Sequence, residues 1–384
     1  MSSRAEQLHT LGQSVWLDFI RRGHLASGEF ERLVREQGVV GVTSNPTIFQ
    51  QAIGGSGDYD EALARRSGDG LSGPALFEAL AVEDIQRACD ILRPVYERTR
   101  GLDGRVSIEV NPRLARDTTG TIEEARRLHR EVARPNVLVK VPATAEGLPA
   151  IAQLTLEGLS INVTLIFSLA RHEQVMDAYL AGLERRAASG QPLDDIRSVA
   201  SFFVSRVDSK VDAAIDAQIA KRAAGDPARE ELVTLKGRAA IANARLAYAR
   251  FREVFGSQRF EALRARGAHG QRPLWASTST KNPAYPDTLY VDELTGRDTV
   301  NTMPLATLTA YNDHGSLELR IGRDLDRARA LFLRLPALGV PVEVLIAKLE
   351  PEGVEAFSKS YDTLIETLES KRAAMGLDGR AGRV

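Results

Sequence analysis

Short runs of Val, Ile and Leu recur along the chain, separated by longer stretches whose apolar positions follow a helical period. The runs predict eight strands, at about 14–20, 38–45, 105–111, 136–143, 159–167, 198–205, 273–279 and 302–309. Helix start signals fall between them. Thr121-Ile122-Glu123-Glu124 reads as a capping box, Pro74 suits a first helical turn, and Pro227 follows a candidate N-cap at Asp226. Strands alternating with helices imply a parallel sheet, and eight of them favour closure into an α/β fold, the (β/α)8 barrel. Such a barrel needs ~250 residues. The 384 present leave an excess that is expected in a helical insertion at about 206–272 and a helical C-terminus. The chain then reads as a single barrel domain over 1–375 followed by a flexible tail at 376–384.

Residues two apart share a strand face. In the fourth strand Val137, Val139 and Val141 oppose Leu138 and Lys140. In the third, Ile108 and Val110 oppose Ser107, Glu109 and Asn111. Val163 and Leu165 oppose Asn162 and Thr164 in the fifth, and Val40 and Val42 oppose Thr43 and Asn45 in the second. Ser277 and Ser279 share a face of the seventh. The apolar faces suit packing beneath outer helices. The other faces turn polar toward the C-terminal strand ends, where barrel enzymes build their sites. A solvated face of an open sheet would alternate in the same way, but polar groups buried on several strands are tolerable only around a shared cavity.

Lys140 is the focus of that cavity. Lysine is the scarce cation here, eight residues out of 50 basic ones, so one placed mid-strand among Leu138, Val139 and Val141 calls for a chemical reason. Loss of solvation penalises the ammonium and favours the neutral amine, a nucleophile that condenses with ketones or aldehydes to a Schiff base. The imine is an electron sink that permits an adjacent carbon–carbon bond to break or form. A structural ion pair with Glu109 is the competing explanation. Glu109 and Asp18, at comparable strand ends, would supply the general acid and base.

Other chemistries find little support. Lys+Arg 50 against Asp+Glu 51 leaves net charge −1, which offers nothing to a nucleic acid or an anionic membrane. No apolar run approaches the length that spans a bilayer, and residues 1–10 are polar and mixed in charge, so a cytoplasmic protein is expected. A lone cysteine, Cys89, excludes a disulfide framework and a cysteine zinc site. Gly54-Gly55-Ser56-Gly57 is neither a Walker loop nor GxGxxG, and His172-Glu173-Gln174-Val175-Met176 lacks the second histidine of a zinc protease helix. No metal and no cofactor are expected. Trp16 and Trp275 lie in strands, where packing explains them.

Three blocks carry a family resemblance. Gly41-Val42-Thr43-Ser44-Asn45-Pro46-Thr47-Ile48-Phe49 resembles the transaldolase signature, although Ser44-Asn45-Pro46 also reads as a helix cap. Asn136-Val137-Leu138-Val139-Lys140-Val141-Pro142-Ala143-Thr144 resembles the segment around that family's Schiff-base lysine, and Ile161–Ser168 resembles a third block. With Val106–Asn111 and Ser201–Arg206 the likeness runs in order across strands one to seven. The helical insertion resembles the longer bacterial branch.

The resemblance implies a metal-free barrel of the class I aldolase type. Lys140 would form the imine with a ketose donor, and Asp18 would take the proton from its C4 hydroxyl. Glu109, through a water held with Thr164, would handle protons during imine formation and hydrolysis. Asn45, Asn162 and Ser201 would bind the dihydroxyacetone moiety, with Thr43 in the same substrate-binding set and Phe203 as a wall. Arg206 and Ser277 would hold the phosphate. In the short branch an arginine follows the seventh-strand serine; here Thr278-Ser279-Thr280-Lys281 stands in that place, and Lys281 becomes the substitute cation. The implied partners are sugar phosphates, not nucleic acid or membrane, and homodimer and monomer both stay open. The implied reaction is transfer between sedoheptulose 7-phosphate and glyceraldehyde 3-phosphate. A fructose 6-phosphate aldolase would use the same imine, and a non-catalytic sugar-phosphate sensor would need neither Lys140 nor Asp18.

Overall fold

A computed structural model describes residues 2–66 and 69–377. Eight strands run parallel to their neighbours in sequence order: β1 (Gln13–Leu17), β2 (Gly41–Val42), β3 (Arg105–Glu109), β4 (Val137–Pro142), β5 (Ile161–Ile166), β6 (Ser198–Phe203), β7 (Arg272–Ala276) and β8 (Thr299–Met303). β8 pairs back onto β1 over five residues, so the sheet closes, and helices surround it. This is the (β/α)8 barrel. Val137, Val139 and Val141 are buried beneath the outer helices, as the alternation requires. Inside, Trp16 is fully buried, and Gly41 of β2 lies against it: a Cβ at Gly41 would come within 2.6 Å of the indole ring.

Several elements depart from the sequence pattern for local reasons. The run at 302–309 is mostly not a strand. β8 ends at Met303, and Pro304, which cannot donate to a ladder, instead opens a helix over Leu305–His314 whose buried Leu308 and Tyr311 follow helical spacing. β2 is only two residues long, because Gly38 turns the chain at φ 74° and Asn45 already caps the next helix. In β5 the register shifts between Val163 and Ile166, and Leu165 takes φ 62°. The expected pairing of Leu165 with Val163 on one face is therefore broken. Thr121 does not cap a helix. Asp117 does so one turn earlier, accepting from Gly120 N at 3.0 Å, while Thr121 donates to Leu114 O and Glu124 accepts from Asn111 N. Asp226 and Pro227 do start a helix as read, Asp226 accepting from Ala228 N.

Four helices lie between β6 and β7: Ser205–Ile219, Pro227–Leu235, Ala239–Phe255 and Gln258–Arg264. Phe251, Phe255 and Phe260 from this group pack on Tyr179 and Leu183 of the helix Leu169–Ala188, forming a second apolar cluster beside the main core. After β8 come Leu325–Ala337, Val342–Ala347 and the long C-terminal helix Leu349–Ala374. That last helix crosses the C-terminal end of the barrel, where a Cβ on Gly353 would lie 3.1 Å from Leu165 Cδ2. No single described helix is long and apolar enough to cross a membrane. One C-terminal pair, bent by 95°, passes by length and composition, but its Leu331, Leu335, Leu364 and Leu368 are buried in the protein. Residues 378–384, most of the expected tail, lie outside the described residues.

His172 is fully buried, edge-on to Phe202 with ring centroids 5.6 Å apart, and neither ring nitrogen has a hydrogen-bond partner. Burial pushes its pKa down to about 4. The unfolded chain, with an ordinary histidine near 6.5, binds the extra proton first. Stability is therefore lost as pH falls from about 6.5 toward 4. The loss reaches roughly 2–3 kcal/mol by pH 4.5, at about 1.4 kcal/mol per unit. His172→Leu keeps the volume and removes the titration. Urea denaturation at pH 7 and pH 4.5 should show the variant losing less stability than the parent; equal losses would refute a neutral buried imidazole.

Candidate active site

Lys140 sits near the C-terminal end of β4, directly opposite Glu109 of β3 in the ladder. Neighbouring positions in a parallel sheet face the same way, so both side chains turn into the barrel. Lys140 Nζ lies 3.1 Å from Glu109 Oε2 and donates to Ser44 O at 3.1 Å, with the two side chains only 4% and 6% exposed. The contact with Glu109 is one of charge more than direction, since Oε2 finds no donor in hydrogen-bonding geometry. Phe357, from the C-terminal helix, places its ring centroid 5.7 Å from Nζ. Burial raises the Glu109 pKa above the usual carboxylate range, and the adjoining Lys140 offsets only part of that rise.

A cavity of about 290 Å³ opens above this pair, lined by Asp18, Thr43, Asn45, Lys140 and Ser201 among others. Asp18 follows β1, its backbone N–H bonded to Met303 O at 2.8 Å. Its carboxylate accepts from Thr43 Oγ1 at 2.8 Å. Thr43 has one proton to give, so the 2.7 Å contact with Thr302 must run from Thr302 to Thr43. Burial raises the Asp18 pKa, with Thr43, Lys140 and Lys281 acting in the opposite direction. Asn45 caps the helix Pro46–Gly54 through Oδ1, which accepts from Ile48 N at 2.9 Å, and this leaves its NH₂ for a ligand. The cap and the catalytic-family reading of Ser44-Asn45-Pro46 thus coexist.

The outer part of the cavity is cationic. Arg206 and Lys281 both line it, and neither forms an ion pair among the described residues. The Arg206 guanidinium lies 5.7 Å from the ring centroid of Phe203, and its burial lowers its pKa. Lys281 Nζ donates to Ser279 at 2.8 Å. Ser277, between them in the wall, adopts φ 58°, a left-handed conformation. Ser205 holds it there, sharing a 2.8 Å hydroxyl contact and donating its N–H to Ser277 O at 3.1 Å.

Three of the residues singled out do not line the cavity. Asn162 lies beneath, donating to Ser107 Oγ at 3.0 Å and accepting from Ser201 Oγ at 2.7 Å. Glu109 touches Lys140 from below and faces a second, narrow cleft shared with Asn45 and Tyr361. Thr164 is fully buried, its hydroxyl without a hydrogen-bond partner among the described residues. The wall also holds residues that sequence reasoning passed over. Thr302 and Pro304 fall at the start of the strand expected at 302–309, Gln51 lies on the helix Pro46–Gly54, and Phe357 belongs to a helix 217 residues downstream of Lys140. For Thr302, polar alternation within β8 was the available signal; for Phe357 there was none.

The family described as Transaldolase/Fructose-6-phosphate aldolase matches residues 15–368. The protein named Transaldolase in Thermobifida fusca is 50% identical over 97% of this chain and all of its own length. The one in Parafrankia sp. is 49% identical over 97% of this chain and 98% of its own, and the one in Trichodesmium erythraeum 43% over 95% and 96%. The match therefore begins in β1, beside Asp18, and ends in the helix that carries Phe357. It takes in every element that builds the cavity, and the chain belongs to the transaldolase/fructose-6-phosphate aldolase family.

Proposed function

We propose that this chain is a transaldolase of the pentose phosphate pathway that works through an imine on Lys140. It moves a dihydroxyacetone unit from sedoheptulose 7-phosphate to glyceraldehyde 3-phosphate, releasing erythrose 4-phosphate and fructose 6-phosphate. One observation carries the reading: Lys140 is the only buried lysine among the described residues, and it forms the floor of a cavity whose mouth is cationic.

Neutral Lys140 Nζ attacks the C2 carbonyl of the donor, and loss of water gives the iminium ion. Glu109, 3.1 Å away and biased by burial toward holding a proton, suits this dehydration and its reversal. Thr164, with its buried unpartnered hydroxyl, is suited to share a water with Glu109. Asp18 then takes the C4 hydroxyl proton as the C3–C4 bond breaks; the electron pair passes through C2 to the nitrogen, leaving an enamine. C3 of the enamine attacks the aldehyde of glyceraldehyde 3-phosphate, and Asp18 returns the proton. Hydrolysis frees fructose 6-phosphate and Lys140. Asn45 and Ser201 bind the three-carbon unit, with Asn162 holding Ser201 and Thr43 holding Asp18. Phe203 walls the pocket, while Arg206, Ser277 and Lys281 receive the phosphate. A single barrel domain over 1–375 carries every group named. Phosphorylated sugars do not cross membranes unaided, which supports a cytoplasmic location for an enzyme that uses them.

The relatives named Transaldolase favour transfer over simple cleavage. Borohydride reduction in the presence of fructose 6-phosphate should fix a dihydroxyacetone adduct on the Lys140 peptide and nowhere else. Lys140→Ala should lose the adduct and roughly 10³-fold or more of the turnover, as removal of a nucleophile does. An adduct on another lysine would overturn the assignment, and release of free dihydroxyacetone faster than transfer would make the enzyme an aldolase instead.

Thr43 supplies the one side-chain hydrogen bond that Asp18 accepts among the described residues. Thr43→Val leaves the buried carboxylate without it, so the carboxyl holds its proton to higher pH. The acid limb of the kcat/KM profile should move upward in pH, with roughly tenfold lower kcat/KM at neutral pH, the scale of a hydrogen bond to a charged group. An unmoved acid limb would show that Asp18 is not the base that limits the rate.

A further inference from the structure

The opposite, N-terminal end of the barrel holds a larger cavity of about 670 Å³, and its inner wall is arginine. Arg105 opens β3, Arg272 opens β7, and Arg197 immediately precedes β6. Arg105 is 1% exposed. Its Nε donates to Gly101 O at 2.7 Å and its guanidinium lies 5.2 Å from the Tyr96 ring centroid, but Nη1 is buried with no hydrogen-bond partner. Arg197 gives its N–H groups to the carbonyls of Arg100, Ile196 and Asp194, while its Nε is buried without a partner. Neither arginine forms an ion pair among the described residues. Asp194 and Asp195 stand in the loop just before Arg197, yet neither carboxylate pairs with it. Arg272 alone has a carboxylate, Asp103 at 3.1 Å, and Asp103 also accepts from Ser14 at 2.9 Å.

Of these three guanidinium groups only that of Arg272 is paired with a carboxylate. Burial and mutual repulsion lower the pKa of both Arg105 and Arg197. Unpaired buried charge is among the most costly features a fold can carry, and oxygen acceptors from an anion would relieve it. The outer wall sets Phe251 and Phe255 from the inserted helices beside Arg252, Arg264 and Asp298.

We propose that this cavity is a second anion site, which takes the phosphate of a small phosphomonoester between Arg105, Arg197 and Arg272 and covers its organic body with Phe251 and Phe255. The planar N–H forks of three arginines match the tetrahedral oxygens of a phosphate. Leu138 lines the same cavity two residues before Lys140, so β4 runs from one site to the other.

Equilibrium dialysis of the full chain with labelled inorganic phosphate tests the site, in an Arg206→Ala, Lys281→Ala background that removes phosphate binding at the other end. One equivalent should still bind in the millimolar range. Adding Arg197→Gln should weaken it at least tenfold with the circular dichroism spectrum unchanged; Arg105→Gln should do the same, but Arg197→Gln decides the matter if the Arg105 variant fails to fold. Phenyl phosphate should displace the label at several-fold lower concentration than unlabelled phosphate. Absence of binding in the background chain, or binding indifferent to Arg197→Gln, overturns the site. Displacement by phenyl phosphate no better than by phosphate overturns its assignment to an ester.

Discussion

Burying Lys140 against Glu109 is the constraint around which the C-terminal half of the barrel is arranged. Each group alone would be costly inside a protein, and together they are tolerated only if distance and surroundings are fixed. The ladder does the fixing: the two residues are partners across β3 and β4, so separation is set by backbone hydrogen bonds and not by flexible side chains. The Ser44 carbonyl and the Phe357 ring then occupy other approaches to the ammonium. Under the proposed mechanism Lys140 gives up a proton before it attacks a carbonyl compound, and the iminium that follows again carries a positive charge 3.1 Å from Glu109 in the resting geometry. Under that mechanism a structural salt bridge and a nucleophile in waiting are the same contact.

Closure of the barrel adds the second requirement, that strand ends be steered. Regular β geometry would carry side chains straight out of the cylinder. At Leu165 and Ser277 the chain instead enters the left-handed region, at φ 62° and 58°, which costs roughly 1–3 kcal/mol each for residues other than glycine. Leu165 is thereby brought against the helix at Gly353, and Ser277 is turned into the cavity wall beside Arg206. The strain sits at the register shift within β5 and just past the end of β7, and packing at the first and the Ser205 contacts at the second hold it.

The sequence was most informative where physics is local. Period-two alternation located β3 and β4 and put Glu109 and Lys140 on one face, because register and burial both follow from a pattern of two. Asn45-Pro46 and Asp226-Pro227 announced helix starts through chemistry confined to three or four residues. The resemblance in the motif blocks then added Arg206 and Lys281, which nothing in local patterning distinguishes from other surface cations. Where a competing local rule prevailed, the reading slipped: Pro304 converted an apparent strand into a helix, and Asp117 outcompeted Thr121 as a cap. Leu165 was illegible for another reason, since leucine has no preference for the conformation it adopts, and only its distant neighbours impose it.

Phe357 marks the limit of such reading and also its logic. Its apolar stripe with Tyr361, Leu364 and Leu368 is what any buried helix shows, so spacing predicts that it packs but not against what. Tertiary structure decides that the stripe crosses the barrel's C-terminal end. The helix that carries it begins only after β8 has closed the sheet, so it can dock on a finished cylinder but contributes no strand to it. It covers the ends of β4 and β5 while Asp18, Arg206 and Lys281 remain along the open side of the cavity. A helix placed there excludes water from the amine and leaves the cationic mouth accessible. The division between a dry reacting end and a wet, charged entrance thus rests on where the last helix lies, not on any motif in the strands.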